Sequence, residues 1–293
     1  MENDTMFRPT LIAGALALSA AASHAAEPLQ LSIYNADGNS FNVSSVLVSG
    51  AKDAILIDTG FTRADAYRIA AKVLDSGKQL KAIYISQADP DYYFGAAELK
   101  KIFPRAAVLS NGPTLAKIKA NIQGKQAYWG PKMGDNAPTT ALLPEELKGD
   151  RLELEGQALE IKGTRGVLAH RGYVWIPSIR AIVGNVGVTG ASMHVWTADT
   201  QSKAERQAWI KQLDEMEALK PATVVPGHMQ AGDKTDLSAV RFTRLYLQRF
   251  EANLATSANS GELIAAMKRE FPQAGEDMSL DIGAKVNKGE MKW

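Results

Sequence analysis

Asp89 and Asp91 stand one residue apart in the stretch Ser86-Gln87-Ala88-Asp89-Pro90-Asp91-Tyr92-Tyr93-Phe94-Gly95. The stretch follows Lys81-Ala82-Ile83-Tyr84-Ile85, a short apolar run that reads as a buried strand. A loop at a strand's carboxyl end is where open α/β sheets hold their ligands. Two carboxylates so close can share a cation with an imidazole. Without a cation they repel, which raises one pKa and makes a general acid. Asp89 or Asp91 could equally do no more than cap a following helix. Of four histidines, His24 lies in a leader, so His170, His194 and His228 must do any imidazole chemistry. Cysteine is absent, which removes thiolate nucleophiles, thiolate ligands and disulfides.

The elements that must position these groups follow from periodicity and turn chemistry. Residues 29–34 alternate as a strand; 45–49 and 54–58 are two more, joined by Gly50-Ala51-Lys52-Asp53 of hairpin composition. Thr62 with Asp65 predicts a capping box opening a helix to about Leu74, closed by Ser76-Gly77. A helix over 96–102 stops before Pro104, and 107–109 is a strand. Residues 122–150, rich in Gly, Pro, Lys and Asn, read as a long excursion near the site carrying Tyr128 and Trp129. Strands follow at 151–154, 159–161, 173–177 and 181–183. Ser202 with Glu205 caps a helix whose Trp209, Leu213, Met216 and Leu219 form one stripe. The strand 222–225 runs into Pro226-Gly227-His228, and 237–293 predicts one or two helices and a tail.

The chain has 293 residues, 45% apolar and 22% charged, with a formal charge of +1. That is globular composition, and it gives no electrostatic reason to expect nucleic acid or an anionic membrane as partner. No Gly-x-Ser-x-Gly elbow, Walker loop or Gly-x-Gly-x-x-Gly after a strand occurs. Leu11–Leu18 is a short apolar core followed by Ala22-Ser23-His24-Ala25-Ala26, the pattern of an export signal cleaved after Ala25 or Ala26. A start at Met6 would give the basic opening Met-Phe-Arg-Pro. The expectation is a periplasmic or secreted protein with no membrane contact once the signal is removed.

Five separated motifs resemble, in order, those of the metallo-β-lactamase superfamily. Its leading loop reads His-x-His-x-Asp-His with a following Gly; the same register here gives Gln87, Asp89, Asp91, Tyr92 and Gly95. Leu56-Ile57-Asp58-Thr59-Gly60 resembles its early strand end, and Gly166 opens a segment like its next histidine loop, with Val167 at the ligand position. Gly184-Asn185 stands where the superfamily has Gly-Asp, and Pro226-Gly227-His228 matches its terminal histidine loop. More narrowly, the loop is similar to that of exported members reading Ser-His-x-Asp-Pro-Asp-Tyr-Tyr-Phe-Gly, with Gln87 for the histidine.

The resemblance implies an α+β fold, a four-layer αββα sandwich over 27–232, after a signal at 1–26 and before a C-terminal helical extension at 233–293. It implies hydrolysis of an ester, lactone or other acyl compound at a remodelled, depleted metal site. Asp89, Asp91 and His228, with the amide oxygen of Gln87, would hold one divalent ion, with zinc, manganese and iron not distinguished. A dizinc centre and β-lactam hydrolysis are not expected from this ligand set. Asp91 and His228 would carry the chemistry, while Tyr92, Asn185, His194 and Trp196 line the pocket. The alternative is a noncatalytic protein that binds a small ligand in the same cleft. His170 sits three residues beyond the matching position and reads as a strand-edge residue. The stripe Leu245, Phe250, Leu254 reads as core packing or as the face of a homodimer.

Overall fold

The computed structural model describes Met1 and residues 27–293. The leader expected over 1–26 lies, from residue 2 on, outside the described residues. Strands β1 (Gln30–Asn35), β2 (Ser44–Ser49) and β3 (Asp53–Ile57) form an antiparallel meander. β4 (Gln79–Ile85), β5 (Ala107–Ser110) and the two-residue β6 (Glu145–Glu146) then add in parallel, giving a six-stranded sheet in chain order. Parallel addition requires crossovers. α1 (Arg63–Asp75) supplies the first, opened by the Thr62–Asp65 capping box. α2 (Pro90–Tyr93) and α3 (Ala96–Ile102) supply the second.

The third crossover departs from the sequence expectation. Residues 112–133 form one helix, α4 (Gly112–Met133), where an irregular excursion was expected from residue 122. Asn111 caps it by accepting from the Thr114 N–H at 3.0 Å, and Leu115, Ile118 and Ile122 bury one face. Trp129 near its end packs edge-on against Phe41 and Phe61, at 5.5 and 5.3 Å. Three turns of anchored apolar residues outweigh the poor helix propensity of the Gly- and Pro-containing end.

The second sheet runs β11-β10-β9-β8-β7. Its strands are β7 (Arg151–Leu154), β8 (Gln157–Lys162), β9 (Tyr173–Ile176), β10 (Ala181–Val183) and β11 (Thr223–Val224). Ile55, Ile57 and Tyr84 of the first sheet meet Leu159, Val174, Ile176 and Val183 of the second in the core between them. α1, α3 and α4 cover the outer face of the first sheet. α5 (Lys203–Ala218), α6 (Leu237–Thr256), α7 (Ser260–Glu270) and α8 (Asp277–Asn287) cover the second, around Trp175, Ile182 and Val224. The result is the expected αββα order. The C-terminal segment holds three helices where one or two were expected. Of the stripe on α6, Phe250 is buried and Leu254 partly so, leaving Leu245 exposed. Among the described residues no helix is long and apolar enough to cross a membrane.

Candidate active site

The loops after β3, β4, β10 and β11 meet at one edge of the sandwich. Asp58, at the end of β3, adopts a left-handed backbone at φ 62° and accepts from the Ser86 N–H and hydroxyl at 2.7 and 2.6 Å. It is buried, and burial raises its pKa to about 7 against those two bonds. Its contacts tie β3 to β4 and leave it no reacting partner. Gly95 lets the two loops touch: a Cβ there would lie 2.1 Å from the Thr59 carbonyl oxygen. The Thr59 N–H and hydroxyl both donate to the Tyr92 carbonyl, at 2.8 and 3.0 Å, which fixes α2 and with it Asp91 and Tyr92.

Asp91 and His228 meet, with Oδ2 to Nε2 at 3.4 Å. His228 lies between the two sheets, bridging to Val43 on one side and Thr189 on the other. Its Nδ1 is 2.8 Å from the Phe41 carbonyl oxygen. A carbonyl only accepts, so Nδ1 carries the proton and Nε2 presents a lone pair to Asp91. Burial pushes the imidazole pKa down to about 4, opposed by the Phe41 bond and aided by the Arg171 charge. Burial, then the charge of Asp89, pushes Asp91 well above the usual carboxylate range. Both shifts favour the neutral forms.

The site loops also hold fully buried polar atoms that make no hydrogen bond among the described residues: Gln87 Oε1, Asn185 Oδ1 and the Tyr92 hydroxyl. Gln87 Nε2 donates to the Gly172 carbonyl at 2.8 Å and Asn185 Nδ2 to the Val225 carbonyl at 2.9 Å, so both amides are pinned with their oxygens left over. Tyr92 packs edge-on against His228 at 5.6 Å. Burial, then the charge of Asp91, holds its phenol protonated, well above its ordinary pKa.

The three-ligand cage Asp89–Asp91–His228 is not formed. Among the described residues no three His, Asp or Glu side chains come together as a metal site requires. Asp89 occupies the N-cap of α2 without accepting from it, half-buried. Burial, then the charge of Asp199, raises its pKa to about 6, with Arg171, Lys125 and Lys117 acting the other way. Lys117, Lys125 and Asp199 line a groove of about 640 Å³ between α4 and the start of α5. Asp89 thus feels the charges of that groove, while its own charge acts on Asp91.

Two pocket residues expected from sequence lie elsewhere. His194 is buried in the helical layer, Nδ1 3.0 Å from the Tyr246 hydroxyl of α6. Trp196 donates to Asp199 at 2.6 Å and packs on Trp293 at 5.1 Å, supporting the groove wall from behind. Val167 is 54% exposed, turned away from the site. The same loop instead buries Arg171 to 4% exposure. His170, half-buried beside it, has its pKa lowered to about 4 by burial and then by the charges of Arg171 and Lys117, with Asp199 and Glu205 opposing. Arg171 carries no motif, and only its place next to a histidine on a ligand loop could have signalled it.

The metallo-beta-lactamase superfamily model matches residues 38–228. The chain belongs to the metallo-beta-lactamase superfamily. Among solved structures it is similar to a metallo-beta-lactamase from Pontibacter korlensis (18% identity, 77% of this chain and 97% of that one, TM-score 0.54). It is similar also to a metallo-beta-lactamase family protein from Thermus thermophilus (18%, 86% and 91%, TM-score 0.58). A stereoselective inverting sec-alkylsulfatase from Pseudomonas sp. matches at 15% identity over 86% of this chain and 48% of that one, with a TM-score of 0.57. At these identities the likeness is one of fold. No curated protein matches the chain in sequence. Members of the superfamily generally bind divalent metals. The residues of this chain do not fit such a centre: beside one carboxylate and one imidazole, its remaining donors are two neutral amide oxygens and a protonated phenol.

Proposed function

We propose that this superfamily member is an exported hydrolase of small acyl compounds, esters or lactones, whose depleted metal site works as an acid–base pair. The observation that carries the reading is the Asp91–His228 contact at 3.4 Å with Nδ1 committed to Phe41. A water at the pair gives its proton to His228 Nε2 as its oxygen bonds to the acyl carbon. Asp91 gives its proton to the leaving oxygen as the acyl–oxygen bond breaks. The proton on Nε2 then returns to Asp91, restoring the resting pair. The Tyr92 hydroxyl can donate to the developing oxyanion. Gln87 and Asn185 present acceptors that orient the substrate. Export rests on the apolar run Leu11–Leu18 and the small residues that follow it. The sulfatase and lactamase neighbours support hydrolysis as what this fold hosts. β-Lactam turnover is not proposed, because the ligand set is missing.

The pinned amides of Gln87 and Asn185 favour the second reading, a small-ligand-binding protein without turnover. An ester and lactone panel, assayed on chelator-treated protein with Asp91→Asn and His228→Gln alongside, separates the two. Turnover that survives chelation and falls about 10²-fold or more in either variant is expected. No turnover by wild-type protein on any member contradicts the hydrolase reading, and turnover that needs added metal contradicts the acid–base assignment.

A further inference from the structure

Arg171 is buried to 4% exposure, yet among the described residues its guanidinium makes no side-chain hydrogen bond and no ion pair. Its one close partner is the face of Trp209, with Cζ 4.9 Å from the ring centroid. A buried guanidinium that makes no hydrogen bond is costly unless something satisfies it, and Asp89, whose carboxyl its charge reaches, forms no ion pair with it. The backbone around it is fixed: the Arg171 N–H donates to the Leu168 carbonyl at 2.8 Å, and Gln212 Nε2 donates to the Arg171 carbonyl at 3.0 Å. Trp209 is itself held, Nε1 donating to the Gly187 carbonyl at 2.8 Å. The guanidinium therefore lies over a fixed indole platform on an anchored backbone. The loop that carries it is tied to both sides of the site: the His170 carbonyl accepts from the Thr114 hydroxyl of α4 at 3.2 Å and the Gly172 carbonyl from Gln87 Nε2 at 2.8 Å, and its charge acts on Asp89, Tyr92 and His228. Two more cations, Lys117 and Lys125, line that groove opposite Asp199 and Glu205.

We infer that Arg171 is the anchor for an oxyanion on the substrate, so that the compound bound at this site carries a carboxylate, sulfate or phosphate group. A planar fork with several donors matches two oxygens of such a group at once. The inference rests on the proposed function only for what the anion is attached to; the anion subsite stands on burial and geometry. The anchor sets the substrate's orientation and leaves bond-breaking to the pair beside it.

The test is calorimetric titration of the chelator-treated mature protein with sodium acetate, sulfate and phosphate, each at constant ionic strength. At least one oxyanion is expected to bind saturably at one site, and the arm with the tightest binding identifies the group. Arg171→Met, which keeps a stem over Trp209, should weaken that binding at least tenfold while thermal unfolding shows a folded protein. Should the variant not fold, the arginine Nε–H resonances of the wild type serve instead: one must shift saturably with the same oxyanion. Absence of saturable binding in all three arms, undiminished binding by a folded Arg171→Met, or unmoved arginine resonances overturns the inference. A failed ester panel with oxyanion binding intact strikes only the hydrolase reading. Turnover of an uncharged ester with no oxyanion binding strikes only this one.

Discussion

At the residue scale the site is governed by burial acting on a few titratable groups. His228 is kept neutral: its pKa is about 4 in the fold against 6.5 for the free side chain. Between those values the unfolded chain takes up the proton first. The stability this imidazole contributes is whole above pH 6.5 and is lost as pH falls toward 4. The full shift corresponds to about 3 kcal/mol at most. Asp58 and Asp89, raised to about 7 and about 6, act oppositely, their contribution declining as pH rises above 3.8. His228→Gln should therefore flatten the acid side of the stability profile specifically. Thermal melts of both proteins between about pH 7 and about pH 4.5 check this, and parallel profiles would show that the imidazole is not held neutral. Asp91 and His228 were legible in the sequence because the loop 86–95 and Pro226-Gly227-His228 resemble motifs of the superfamily. Arg171 was not, because the ligand register pointed to Val167, and a turn of the loop exchanges an exposed valine for a buried arginine four residues on.

At the scale of elements, glycines decide how closely the site loops approach. A Cβ on Gly227 would lie 1.9 Å from the Asn185 carbonyl oxygen and 2.5 Å from the Tyr92 hydroxyl. Neither backbone nor a fully buried tyrosine can yield cheaply, so Gly227→Ala should cost about 2–3 kcal/mol and disturb the Tyr92–His228 contact. Gly124, in the middle of α4, has open space around it; Gly124→Ala should be neutral or stabilising by up to about 1 kcal/mol. Urea denaturation of the two variants tests the contrast, and equal costs would contradict it. The capping boxes at Thr62 and Ser202 were readable because they are local chemistry. The course of α4 was not, since Leu115, Ile118 and Ile122 specify a helix only once the first sheet offers a face to cover. His194 was misplaced for a similar reason: following Asn185 in sequence does not say on which side of the second sheet a side chain falls.

For the whole molecule, the C-terminal helices are a structural layer. Ala239, Val240, Tyr246, Leu247, Leu263 and Leu280 share one core with Trp175, Ile182 and Trp209. A chain ending at residue 232 would leave that face of the second sheet in water, at about 25 cal/mol per Å² of apolar area. The fragment 27–232 is expected to aggregate or to lack a cooperative melt, and size-exclusion chromatography with calorimetry would show it. A soluble fragment that melts like the full chain would make the helices a separate unit. The four-layer order was implied by the resemblance of the ordered motifs, whereas the dependence of one sheet on three late helices is a long-range property that local patterns do not carry.

Asp91 and His228, 3.4 Å apart, stand where members of the superfamily generally hold a metal, and we propose that they share a proton there. The most direct test is the ¹⁵N spectrum of the histidine rings in chelator-treated protein, assigned with His228→Gln and followed from about pH 8 to about pH 4 before and after stoichiometric zinc. The prediction is an Nδ1–H tautomer for His228, no protonation until close to pH 4, and an Nε2 resonance that zinc leaves in place. An Nε2 that moves to a metal-bound shift on adding zinc, or a ring that titrates near 6.5, would contradict it.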